Sequence, residues 1–167
     1  MAMTQTLKPE WSVLYTRARA EKKMGEYCRK HAFEYFLPLR KESKIYQRRK
    51  VEVWKPLFPG YIFVKHNSPA RIKILESKVI VKIIPVPDQQ KFVKEIENLK
   101  IALTINPELV ACPAIVEGAS VRVKEGPFMG IEGIVEKIKS QTRVIVAVSS
   151  IGQGVPVEID SVNLEFL

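Results

Sequence analysis

Pro56-Leu57-Phe58-Pro59-Gly60-Tyr61-Ile62-Phe63-Val64-Lys65 is an aromatic and β-branched run that directly follows the most basic stretch of the chain. The Pro59-Gly60 pair forces a turn or bulge between Phe58 and Tyr61, and Tyr61 to Val64 then has the composition of a strand. Such a turn can lift an aromatic ring out of a sheet's core. The segment reads as a docking surface beside a phosphate-facing one.

Upstream of it, Trp11 to Thr16 has strand composition, and Ala20 to His31 has helical spacing with Ala20, Met24, Tyr27 and Cys28 on one face. Glu21, Lys22, Lys23 and Arg29 are expected to turn outward, Cys28 to fill space in a core, and His31 to sit at the helix end. Glu34 to Leu39 returns to extended composition. Lys41 to Lys55 is too charged for a core and reads as a polar excursion with a hairpin tip. Downstream, Ser68-Pro69 predicts a short helix to about Glu76, with the serine as N-cap and the proline in the first turn. Val79 to Ile84 is the next strand. Asp88 is placed to cap a helix in which Phe92, Ile96, Leu99 and Leu103 recur at helical intervals.

Composition bounds the rest. A chain of 167 residues with 46% apolar content can fill one domain and a small second one. No apolar run approaches the roughly 18 residues of a membrane span, and the first ten residues lack the pattern of a signal peptide. A cytoplasmic protein with no membrane association is expected. Cys28 and Cys112 lie far apart, there is no Cys-x-x-Cys, and the histidines are His31 and His66 alone, so no metal site, disulfide framework or cofactor is expected. No nucleophile with a base, carboxylate pair or ligand set stands at recognisable spacing, so the expectation is a protein that is not an enzyme.

The net charge of +9 is unevenly distributed. Residues 1–55 hold 14 Lys/Arg against 6 Asp/Glu, whereas residues 117–167 hold 5 against 7. The two ends should therefore meet different partners. Residues 104–114, with Pro107 and Pro113 and no clear period, read as a linker between a domain at 8–103 and another at 115–167. The second contains strand signals only, at Ser120–Lys124, Glu132–Ile138, Arg143–Val148, Val155–Ile159 and Val162–Phe166, which predicts a small closed barrel. Gly126, Gly130 and Gly133 do not make a nucleotide loop. Pro127 removes an N–H, no Gly-Lys-Ser/Thr follows, and the next element is a strand.

Three segments together resemble the NusG family of transcription elongation factors: Trp11 to Lys23 (WSVLYTRARAEKK), the Pro56 to Val64 run, and Glu125 to Val135 (EGPFMGIEGIV). The resemblance covers nearly the whole chain. It implies an α+β fold: an N-terminal mixed or antiparallel sheet with flanking helices (NGN-like), then a small five-stranded SH3-like KOW β-barrel.

The resemblance also implies a transcription elongation regulator that binds the RNA polymerase clamp and promotes processive transcription and antitermination. Phe58 and Tyr61 match the family's apolar polymerase-binding patch, and Tyr15 matches an aromatic lining it in the RfaH type. On this reading Ile62 and Val64 belong to the sheet while Phe58 and Tyr61 face the partner. Arg17, Lys23 and Lys30 match positions that face the non-template strand near upstream DNA. Arg48-Arg49-Lys50, at the expected hairpin tip, is assigned to nucleic acid from its charge, and Tyr46 and Trp54 could stack on bases. Ser12 stands where an aromatic commonly follows the first tryptophan. In the barrel, Ile151 occupies the loop position where the general protein has a phenylalanine that meets a ribosomal protein. Ile151 is thus the expected contact for a ribosomal protein or for Rho, in a protein expected to be monomeric.

The opening segment, Pro-Leu-Phe-Pro-Gly-Tyr and the compact length resemble the specialised UpxY and RfaH kinds more than the housekeeping protein. The housekeeping role, in pausing and Rho-dependent termination, stays open as the alternative. Arg143 to Val148 is rich in β-branched residues, which favours a constitutive barrel over a helical alternative. A KOW-containing ribosomal or RNA-binding structural protein is the reading from another class. It would concentrate basic charge in the barrel, which here is net acidic.

Overall fold

Strand β1 (Glu10–Thr16) leads through a short turn into helix α1 (Glu21–Lys30), in a computed structural model that describes residues 8–114, 118–138 and 140–167. Next come β2 (Glu34–Phe36), the long strands β3 (Leu39–Tyr46) and β4 (Arg49–Pro56), β5 (Tyr61–His66), helix α2 (Ala70–Leu75), β6 (Ile80–Pro85) and helix α3 (Gln89–Ile105). The remainder is β7 (Cys112–Pro113), β8 (Ser120–Val123), β9 (Glu132–Ile138), β10 (Gln141–Val148), β11 (Gln153–Glu158) and β12 (Leu164–Phe166), with 3-10 turns at Ser149–Ile151 and Ser161–Asn163. The chain divides into two compact units, Met1–Pro38 with Phe58–Gln89 and Leu39–Leu57 with Gln90–Leu167.

The first unit is a four-stranded sheet in the order β2-β5-β1-β6. Its three ladders are antiparallel, which makes the sheet antiparallel rather than mixed. Period-two alternation sends Leu14, Ile62 and Val64 to one face, where they join Ala20, Met24 and Cys28 of the α1 region and Ile74 of α2 in a single core. Cys28 is fully buried there, as the helical spacing predicts, and burial pushes its thiol up to about 12. His31 closes α1 at its C-cap, its ring against Tyr27. The cap of α2 differs from expectation. Asn67, not Ser68, supplies the side-chain acceptor, its Oδ1 taking the Ala70 N–H at 3.0 Å. Two adjacent residues both had capping chemistry, and the αR conformation of Pro69 shifts the cap one residue earlier.

The second unit holds a two-stranded hairpin, β3–β4, most of α3 and a six-stranded sheet in the order β12-β8-β9-β10-β11-β7. The hairpin base is tied down by Lys41 N–H to the Pro107 carbonyl at 2.7 Å and Arg40 Nε–H to the Leu109 carbonyl at 3.2 Å. Buried Val121, Val123, Val144, Val146, Val148, Val155 and Val157 line the C-terminal sheet, so β-branched residues set the strands where the sequence places them. Residues 104–114 are not uniform: Thr104 and Ile105 finish α3, and Cys112–Pro113 pairs with Gly154 and Gln153. A domain start at Ile115 lies outside the described residues. The Gly126 to Gly130 stretch is a turn leading into β9, as expected of a strand connection and not of a phosphate loop.

Candidate functional site

At the β1–β5 ladder Tyr15 lies directly opposite Tyr61, and the two rings meet at a centroid distance of 5.2 Å, tilted by 50°. Both project from the face opposite Leu14 and Ile62. Tyr15 is 39% exposed and Tyr61 half-buried, so the pair forms a partly open aromatic shelf.

The Pro59-Gly60 turn holds this shelf. Gly60 has φ +91°, and a Cβ there would stand 2.8 Å from Cε2 of Tyr15, so glycine alone lets the ring lie against the turn. The Gly60 carbonyl accepts the Thr16 N–H at 2.7 Å, and its own N–H donates to Glu21 Oε1 at 2.8 Å. Glu21 is therefore buried, 6% exposed, and not turned outward as its charge suggests. A carboxylate at the start of α1 reaches the turn and satisfies an N–H that has no ladder partner.

Phe58 also departs from expectation. It is 1% exposed and belongs to the interior, so it cannot face a partner in this conformation. Its carbonyl accepts the Tyr61 N–H at 3.0 Å, closing the turn that presents Tyr61. Ile62, Phe63 and Val64 are fully buried, so both faces of that strand are packed. Ser12, at the other end of β1, bonds through Oγ to Nε2 of His66 at 3.1 Å. A polar pair thus occupies this end of the strand.

The basic residues fall into two groups. In the first unit, Lys23 and Lys30 lie two turns apart on the exposed side of α1, and exposed Arg17 directly follows β1 with its N–H on the Val79 carbonyl at 2.8 Å. In the second unit, Arg48, Arg49 and Lys50 are exposed at the hairpin tip but do not share one face. Register places Arg49 opposite Tyr46 on one face and Lys50 opposite Ile45 on the other. Gln47 and Arg48 make the two-residue turn with φ +48° and +63°, a left-handed pair achieved without glycine or asparagine.

Ile151, the expected barrel contact, is half-exposed at the end of the Ser149–Ile151 turn. Ser149 is fixed by Glu95 of α3, whose carboxylate accepts the Ser149 N–H at 2.8 Å and its hydroxyl at 2.6 Å. Nothing in the sequence spacing signals this clasp. No group of three or more His, Cys, Asp or Glu among the described residues is arranged to hold a metal ion, and no helix among them is long and apolar enough to cross a membrane.

An antiparallel sheet with flanking helices, followed by a small antiparallel sheet of the KOW type, is the architecture of a class of transcription elongation regulators. The chain belongs to the NusG family: the family described as "NusG: Transcription termination factor nusG" matches residues 9–104. It is similar to the transcription termination/antitermination protein NusG of Rickettsia prowazekii, 28% identical over 90% of this chain and 86% of the relative. The protein of the same name from Deinococcus radiodurans is 30% identical over 88% of this chain and 86% of its own. Among solved structures, one described as "Domain interaction in Thermotoga maritima NusG" superposes with a TM-score of 0.53 at 25% identity, covering 95% of this chain and 97% of the other. Family members are transcription factors that interact with RNA polymerase.

Proposed function

We propose that this chain docks on the clamp of RNA polymerase through the Tyr15–Tyr61 shelf and sustains processive, antiterminated transcription in the manner of the specialised members of its family. The observation that carries the reading is the shelf itself: two tyrosines held in contact and partly exposed by a glycine turn that a buried carboxylate secures. Tyrosine suits such a role because it brings large contact area with few rotatable bonds. Arg17, Lys23 and Lys30 supply the cationic surface for the upstream or non-template DNA of the elongation complex, and Ile151 supplies the apolar contact for a ribosomal protein or Rho. The protein acts as a monomer in the cytoplasm, by binding and without chemistry of its own.

The test is transcription by purified polymerase on a template carrying a pause and a terminator. Longer read-through with the wild-type protein, lost in Tyr15→Ala and Tyr61→Ala variants that fold normally, is the expected result. Increased pausing or Rho-dependent release would point instead to the housekeeping role.

A further inference from the structure

Tyr61, Tyr15 and Lys82 form one row across three strands of the first unit's sheet. Tyr15 lies opposite Tyr61 in the β1–β5 ladder and opposite Lys82 in the β1–β6 ladder. Directly opposed residues of an antiparallel pair share a face, so the two rings and the lysine stand on the same side of the sheet. Adjacent strands lie about 4.8 Å apart, which makes the row about 10 Å wide from Tyr61 to Lys82. The next row on that face is closed, because Val13 and Phe63, its central pair, are fully buried. The face therefore opens at the tyrosines and ends in an exposed lysine on the last strand of the sheet. Beside Lys82 the ladder shifts register, leaving Val81 without a partner across β1 and 60% exposed.

This cation is not neutralised from within the unit. Glu21, at the same end of the shelf, is buried and engaged by the Gly60 N–H, and Glu76 pairs with Lys73 at 3.4 Å. Lys82 has no ion-pair partner among the described residues. A lysine on an edge strand also discourages pairing with another chain, but that role needs charge anywhere along the edge and not in register with two exposed rings.

We propose that Lys82 is a third docking residue of the shelf and that the polymerase surface it meets carries a carboxylate beside an apolar patch. The inference rests on the reading that the tyrosines dock on the clamp. Interfaces set aromatic anchors at the centre and charges at a wet rim, where the charges select the partner and speed encounter more than they add affinity. The row has this layout, with rings inside and an ammonium at the sheet's edge. The stem of the lysine is apolar and can lie beside Tyr15 while its head reaches the carboxylate. A surface of the same shape without an acid would leave the cation desolvated and unpaired, so Lys82 supplies selectivity as well as attraction.

Binding of the full-length protein to core polymerase free of nucleic acid, measured over a range of salt, tests the proposal. Lys82→Met, which keeps the stem, should bind about two- to tenfold more weakly at low salt, and the gap should narrow as salt screens the pair. Lys82→Arg should stay near wild type and Lys82→Glu should be weaker than Lys82→Met. Lys124→Met, at an exposed lysine of the second unit, controls for the loss of one net charge, and melting curves verify folding. Lys82→Met and Lys82→Glu both binding like wild type would overturn the inference. So would a loss that is the same at every salt concentration, one matched by Lys124→Met, or one that appears only when DNA is present. Tyr15→Ala and Tyr61→Ala in the same assay separate the two levels. If they weaken binding and the Lys82 variants do not, this inference falls and the docking reading stands; if they bind like wild type, the docking reading itself falls.

Discussion

The carboxylate of Glu21 accepts the backbone N–H of Gly60 at 2.8 Å in a buried site, joining the first turn of α1 to the turn that presents Tyr61. A hydrogen bond to a charged group is worth about 1.5–3 kcal/mol, and removing one partner leaves the other unsatisfied. Glu21→Ala should lower stability by about that amount, and Glu21→Gln, which keeps an acceptor oxygen, by less. Urea denaturation midpoints at constant m-value check this, and an unchanged midpoint for Glu21→Ala would refute it.

Gly60→Ala is expected to act on the shelf and on the backbone together. The added methyl meets the Tyr15 ring, and φ +91° strains any L-residue, a cost of about 1–3 kcal/mol. The variant should melt lower and show a changed near-ultraviolet tyrosine signal as Tyr15 is displaced. A normal melt with an unchanged signal would show that the turn tolerates a side chain.

Phe58 and Tyr61 should separate in mutation although three residues apart. Phe58→Ala empties an interior site and should cost about 3–5 kcal/mol of stability. Tyr61→Ala, at a half-buried position, should melt nearly as wild type but bind polymerase with a loss of about 2 kcal/mol, some thirtyfold. Paired melting and binding measurements decide, and a reversal of the two effects would mean that Phe58 moves outward on docking.

The hairpin turn invites a stabilising change. Gln47 and Arg48 occupy left-handed backbone that Asn-Gly adopts readily, so Gln47→Asn with Arg48→Gly should raise hairpin stability by about 1 kcal/mol or more. Amide hydrogen exchange across β3 and β4 would report it as slower exchange.

Cys28 sets a pH dependence with a defined sign. Its folded thiol is pushed up to about 12, so the unfolded chain loses the proton first. Its contribution to stability is complete below the ordinary thiol value near 9 and is lost as pH rises from there toward 12. Cys28→Ala should flatten this part of the alkaline stability profile, and the native thiol should resist alkylation until the protein unfolds. Rapid labelling of the native protein at Cys28 would contradict the burial.

Much of this was legible in the residues. Alternating β-branched runs placed the strands of the C-terminal sheet within a few residues, because period two and turn residues are local signals. Helical spacing placed Cys28 in the core for the same reason. What stayed hidden was set by tertiary contact. A glutamate in a first helical turn looks solvated until Gly60 is seen to need an acceptor, and an aromatic beside Pro-Gly carries no mark of which ring is covered. Asn67 and Ser68 were interchangeable as caps until the backbone at Pro69 decided. The hairpin itself was legible as a polar excursion, but its turn could not be fixed on Gln47-Arg48, because that pair lacks the glycine or asparagine that normally marks a two-residue turn.

The self-paired hairpin has a consequence for how such proteins diversify. Fastened at its base by Lys41 and Arg40 and paired with no other strand among the described residues, it can be lengthened or trimmed as a cassette without disturbing either larger sheet. Only changes by whole two-residue steps on each strand keep Tyr46 and Arg49 on their present side. A one-residue slip in either strand would turn Tyr46 and its neighbours to the opposite side.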